Sequence, residues 1–227
     1  MRSISKWPKP AWLFPVPALL ALVACSSQRA PDFRSITQLM NSVRDASFPE
    51  LKGVDIAIRD LTSDYVFLEA RFTMTSYFSR GRLDYMLYYN EEAVRRGVPP
   101  EGLRAIVAHE LAHIDFFQNQ SRMGLAGLIQ LLSPSFNMRF ERKADLRAIA
   151  LGYGPGLQAY RAWLYRNVPP ARMDEKKRDY FSPDEIAEIL RIEKANPRFM
   201  GDLERCVPRN YAGIEALARN PRMKCAE

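Results

Sequence analysis

The chain has 227 residues, of which 47% are hydrophobic and 26% charged. That is enough to bury one core, and the balance excludes a disordered protein. The formal net charge is +7, but Arg2, Lys6 and Lys9 lie before position 25, where there are no acids, so beyond that point the excess falls to +4. A mild excess without a basic–aromatic patch argues against a nucleic-acid partner.

The first 24 residues read as an address. A basic start leads into an apolar run over 11–24, interrupted by Pro15 and Pro17. The run is short for a membrane span and the right length for a signal-peptide core. It ends in Leu22-Val23-Ala24-Cys25, which resembles the bacterial lipobox. That likeness implies cleavage before Cys25, lipid on Cys25, and membrane contact through the N-terminal lipid. Ser26 rather than Asp follows the cysteine. By resemblance to the bacterial sorting rule, this points to the periplasmic face of the outer membrane, with the inner membrane left open. Cys206 and Cys225 remain as an even pair in an oxidising compartment and are expected to form a disulfide.

The mature chain divides into a tether and first helix (25–45), a main domain (46–170) and a helical C-terminal extension (171–227). Phe33, Ile36, Leu39, Met40 and Val43 fall at helical spacing. Alternation over 54–58, and aromatic and β-branched enrichment over 65–74 and 83–89, predict three strands, with a turn at Gly81. Asn90 opens a short helix that stops at Gly97. Pro100 suits the first turn of a helix over 100–118, with Leu103, Ile106, Val107, Leu111 and Ile114 on its buried face. The apolar stretch 125–132 reads either as a short helix on the core or as a lid dipping into a membrane. Helices over 135–151 and 157–166 are separated by Gly152 and Gly154. A charged stretch covers 174–179. Ser182 and Glu185 form the capping box of a helix running to 194. The last thirty residues read as a tail held by the cysteine pair. The class is α+β, a small sheet packed on helices.

The chemistry concentrates in Ala108-His109-Glu110-Leu111-Ala112-His113, which contains both histidines of the chain. On a helix, residues four apart share a face, so both imidazoles can reach one ion. Glu110 stands about 100° round from His109, able to act on water without being a ligand. This is the H-E-x-x-H arrangement of zinc hydrolases. A catalytic zinc takes three protein ligands and keeps one open position. With no third histidine, the best third ligand is Glu141, 28 residues after His113 on the next long helix. Asp145, one turn on, is placed to accept the free N–H of a ligand histidine. Tyr153, Tyr160 and Arg147 are candidates for the donor that stabilises an oxyanion.

Ala108–His113 together with Glu141-Arg142-Lys143-Ala144-Asp145 resembles the gluzincin metallopeptidases, most closely the HtpX-like and CAAX prenyl endopeptidase family. The likeness covers about residues 85–165. It implies a zincin-like catalytic domain holding one Zn2+ per chain on His109, His113 and Glu141. It also implies Glu110 as general base, Asp145 behind the ligands, and a protein or peptide substrate. Ala112 stands where Gly is usual, a small-for-small change. The short gap between the two helices leaves no room for the transmembrane hairpin of membrane-embedded members, so the soluble lipoprotein branch is the closer likeness. In zinc peptidases the edge strand before the zinc helix pairs with extended substrate, and 83–89 is expected either to do that or to be a core strand. The expected function is zinc-dependent proteolysis in the bacterial envelope, by analogy in protein quality control. Two alternatives stay open: an amidase acting on peptidoglycan or another envelope amide, and a non-catalytic chaperone or adaptor.

Overall fold

A computed structural model describes residues 33–79, 81–223 and 225, so the expected signal peptide and the Cys25 lipid site lie outside the described residues. In chain order, α1 (Phe33–Ser47) leads through a 3-10 turn (Pro49–Leu51) to β1 (Ile56–Asp60) and β2 (Leu68–Phe72). The short α2 (Met74–Phe78), β3 (Tyr85–Tyr89) and α3 (Glu92–Arg95) follow. Then come α4 (Pro100–Asn119), α5 (Arg122–Ala126), a 3-10 segment (Gly127–Leu132) and α6 (Pro134–Ala148). A π-helical turn (Ile149–Tyr153) joins α6 to α7 (Gly154–Asn167). Helices α8 (Pro170–Asp179), α9 (Pro183–Ala195), α10 (Phe199–Arg205) and α11 (Tyr211–Arg219) complete the chain. The architecture is mixed α+β, mostly helical, with one three-stranded sheet.

Helix α4 is the element the others cover. Every residue from Ala105 to Ile114 is buried, and a helix buried on all sides needs neighbours on all sides. Helices α1, α6 and α7 and strand β2 supply them. The approach of α7 is close enough to require glycine. A Cβ on Gly156 would lie 2.4 Å from the Glu101 carbonyl oxygen, and one on Gly102 would lie 3.2 Å from the Tyr160 backbone. Between α6 and α7, Gly152 adopts φ +88°, a left-handed conformation open to glycine at little cost. It ends the line of α6 where the sequence places the break.

The sheet order is β1-β3-β2. Strand β3 is therefore central, parallel to β1 and antiparallel to β2. Of the two readings of 83–89, the core strand is the one found and the edge offered to substrate is not: both of its edges are already hydrogen-bonded. The edge strand next to α4 is β2, and the backbone N–H of Ala70 is bonded to Glu110 of α4 rather than to β3.

Two other regions hold more structure than the sequence suggests. The charged stretch forms α8, and the C-terminal tail contains α10 and α11. These dock through few apolar residues: Phe199, Met200 and Leu203 on α10, and Ile214 and Leu217 on α11. The expected disulfide is formed, with the Cys206 and Cys225 Cα atoms 5.2 Å apart. The stretch 125–132 is helical, beginning inside α5, with Leu125 buried. The Ser182–Glu185 capping box is present. Among the described residues no helix is long and apolar enough to cross a membrane.

Gly156→Ala is expected to lower stability by about 1–3 kcal/mol in urea denaturation, because backbone cannot move aside as a side chain can. Gly201→Ala on α10, with nothing within 4 Å of the added methyl, is expected to be neutral or stabilising by up to about 1 kcal/mol in the same assay.

Candidate metal centre

The helical register of α4 stacks His109 and His113, and α6 crosses below to bring Glu141 up to both. His109 Nε2, His113 Nε2 and one Glu141 carboxylate oxygen lie 3.2 Å from one another in all three pairings. These residues form a cluster able to hold a metal ion. Both histidines are buried, and Glu141 is partly exposed.

Each histidine is held from behind. The Asp145 carboxylate accepts from His109 Nδ1 at 2.8 Å, from Arg161 Nη2 at 2.6 Å and from the Phe181 backbone N–H at 3.1 Å. With a proton on Nδ1, the neutral His109 ring turns its Nε2 lone pair towards Glu141 and His113. The His113 ring stacks on Phe140 with centroids 4.5 Å apart, so α6 orients that ring by packing instead. Glu110 stands outside the triangle. Its carboxylate, itself buried, accepts the Ala70 N–H at 2.7 Å.

The electrostatics follow from burial and crowding. Burial pulls the His109 imidazolium down, but hydrogen bonds to Asp145 and Glu141, with the charges of Asp145 and Glu110, outweigh it and hold the group up to about 9. Burial pushes Glu141 up, but the charge of His113 and hydrogen bonds to both histidines hold it below the usual carboxylate range. Asp145 is likewise held low against its burial, first by the Arg161 guanidinium and then by His109. Glu110 differs: burial pushes its carboxyl up, and the two histidines do not fully offset this.

The structure brings His109, Glu110, His113, Glu141 and Asp145 into one site. It brings Tyr160 to the same place, lining a small cavity with Glu110. It does not bring Tyr153 or Arg147 there. The Tyr153 hydroxyl pairs with Ser47 Oγ of α1 at 2.8 Å. Arg147 reaches Glu50 at 3.0 Å and lies 4.0 Å from Asp115. The turn at Gly152 and the outer face of α6 direct these two groups away from Glu110.

Three residues beside the site are absent from the sequence reading: Arg161, Lys176 and Tyr180. The Tyr180 ring centroid lies 5.9 Å from that of His109, under the Arg161 guanidinium at 4.0 Å. Burial, followed by the charge of Glu141, pushes the Tyr180 phenol well above its usual range. It therefore keeps its proton and can donate. Arg161 had a readable signal, a charge inside the apolar stripe of Leu157, Tyr160 and Leu164. Lys176 and Tyr180 had none.

No family model matches the chain, and no curated protein or solved structure shows significant similarity to it.

Asp145→Asn is expected to weaken zinc binding by about 10- to 100-fold in competition with a chelating dye, because the amide no longer fixes the His109 tautomer. The metal-free protein should also show a defined pH response. His109 is held above its ordinary 6.5, so its contribution to stability is complete below pH 6.5 and lost as pH rises through about 9. Glu141 is depressed from 4.5, so its contribution is present above that value and lost in acid. Urea midpoints of chelator-treated protein should fall from pH 6.5 to 9, and less so in Asp145→Asn.

Proposed function

We propose that the protein is a zinc-dependent endopeptidase with a gluzincin-like catalytic domain, acting on proteins of the bacterial envelope. The observation that carries this reading is the triangle of three donor atoms with Glu110 beside it but not in it. A tetrahedral zinc with bonds of about 2.0–2.1 Å has donor–donor edges of roughly 3.3–3.4 Å. The 3.2 Å edges observed here suit that ion. Two imidazoles and one carboxylate are the ligand set of a catalytic zinc with one position left open, and a purely structural site has no use for a free carboxylate alongside.

His109, His113 and Glu141 would hold the ion. When bound, it supplies Lewis-acid chemistry, polarising the substrate carbonyl and making water acidic enough to attack near neutral pH. Glu110 takes the proton of the attacking water and passes it to the leaving amine nitrogen. Its raised pKa suits a group that must both accept and return a proton, and the Ala70 N–H holds it in place. Tyr160 and Tyr180, both protonated at neutral pH and both lining the cavity beside Glu110, would donate to the developing oxyanion. The edge of β2 not bonded to β3 meets Glu110 through the Ala70 N–H, and an extended substrate would lie along the rest of that edge by strand addition. The tether expected from Cys25 would keep this cleft at the membrane surface, with envelope proteins as its substrates.

Glu110→Gln should cut cleavage of an unfolded protein substrate by at least about 100-fold while keeping one zinc per chain. A variant that cleaves as fast as wild type would refute the mechanism.

A further inference from the structure

A groove of about 570 Å³ lies between α6 and the C-terminal layer. That is the size range of pockets that enclose one small ligand, and it has room for a few residues of a chain. Phe136, Arg139, Phe140 and Lys143 form one wall, at the i, i+3, i+4, i+7 spacing of a single helix face. Phe116 of α4 joins them and is 36% exposed, a large ring left partly uncovered. The opposite wall is the disulfide-closed loop after α10 together with α11, and presents Val207, Pro208 and Leu217.

The charges of the lining are all of one sign. Arg139, Lys143, Arg205 and Arg209 belong to it, and among the described residues no aspartate or glutamate does. Arg205 is committed to the Pro221 and Met223 carbonyls and lies 3.7 Å from Asp202. Arg139 and Lys143 differ: among the described residues neither has an ion-pair or hydrogen-bond partner. Like charges at i and i+4 on a helix repel and destabilise it. One residue ties the groove to the metal centre. Phe140 lines the groove, and its ring stacks on that of His113 at 4.5 Å. At about 3.3 Å per extended residue, a chain bound at the centre has the groove within a few residues of its scissile bond.

We propose that this groove is an exosite for an acidic–apolar segment of the substrate chain. An apolar side chain enters between the phenylalanines and the C-terminal layer, and a neighbouring carboxylate meets Arg139 and Lys143. The proposal rests on the peptidase reading for what delivers the segment, though not for the groove itself. The chemistry selects the occupant. A basic segment would add to charges that are already all positive. A neutral apolar segment would cover the rings and leave the Arg139–Lys143 repulsion in place. A carboxylate offsets that repulsion through charge-assisted hydrogen bonds. A polynucleotide needs a basic track several nucleotides long, larger than this groove. A free single-chain acid has the same chemistry but no tie to the metal centre.

The test uses full-length, metal-free protein, so that no turnover enters, and fluorescein-labelled peptides that alternate Phe or Leu with Glu, Gln or Lys. In anisotropy titrations the Glu peptide should bind about three- to tenfold more tightly than the Gln peptide, the effect of two partly exposed ion pairs. The Lys peptide should bind more weakly than either. Joint substitution Arg139→Gln and Lys143→Gln should bring the Glu and Gln peptides to the same Kd. Arg139→Lys should keep most of the difference, and the exposed control Lys194→Gln all of it. Phe116→Ala should weaken both peptides alike. Equal binding of the Glu and Gln peptides to wild type, or a Glu preference that survives the double substitution, would overturn the proposal. So would laurate or a dT oligonucleotide that binds through Arg139 and Lys143 while the Glu peptide does not bind. With zinc restored, peptides carrying a Phe-Glu pair at increasing distance from the scissile bond separate this proposal from the reading it rests on. If the Glu preference in binding holds but nothing is cleaved, the peptidase reading fails and the groove stands as a peptide site. If peptides are cleaved with no Glu preference at any distance, the peptidase reading stands and the exosite falls.

Discussion

The Asp145 carboxylate is fully buried and accepts three hydrogen bonds from three different places. His109 comes from α4, Arg161 from α7, and the Phe181 N–H from the junction of α8 and α9. A carboxylate alone in such a place would be neutral, since burying a bare charge costs several kcal/mol even after relaxation. Here the Arg161 charge, the His109 ring and the Phe181 N–H dipole meet it, and it stays ionised. The consequence is geometric. Four segments separated by up to 72 residues must converge on one pair of oxygens, and the His109 ring is turned the only way that offers Nε2 to an ion. Loss of Asp145 would leave Arg161 as an uncompensated buried charge as well as releasing His109.

Helix α6 extends this logic along five residues. Glu141 points at the two histidines. Arg142, next to it, points the other way: it is buried, donates to Glu185 of α9 and to the Pro208 and Arg178 carbonyls, and lies 4.5 Å over the Phe181 ring. Asp145, one turn on, closes the His109–Arg161 link. Glu141 is thus fixed by contacts that also attach the C-terminal helices. Breaking the buried Arg142–Glu185 pair by removing one partner typically costs about 3–5 kcal/mol, so the helices after α7 support the centre as well as covering it. The Cys206–Cys225 disulfide closes the far end of the same layer.

What was legible in the sequence was local. The His109–His113 spacing, the Pro100 start of α4, the Ser182 capping box and the break at Gly152 each depend on a few adjacent residues, and each appears in the structure. The association of Glu141 and Asp145 with the histidines followed from ligand counting. What was not legible depended on long-range placement. The strand order cannot be read from chain order, because β3 enters between two strands that precede it. Helices α8, α10 and α11 bury too few apolar residues to announce themselves by periodicity. Tyr153 and Tyr160 lie one residue and about two turns past the same break, and only the path of the chain after Gly152 sends one to Ser47 and the other to Glu110. Lys176 and Lys177 are adjacent and chemically alike, and packing alone makes one buried beside the site and the other exposed.

The central claim is that His109, His113 and Glu141 together bind one ion. X-ray absorption at the zinc edge of the zinc-loaded full-length protein tests it directly. The account predicts one zinc per chain with only nitrogen and oxygen neighbours at about 2.0–2.1 Å and the outer-shell scattering of two imidazoles. Sulfur neighbours at about 2.3 Å, or a single imidazole, would contradict it.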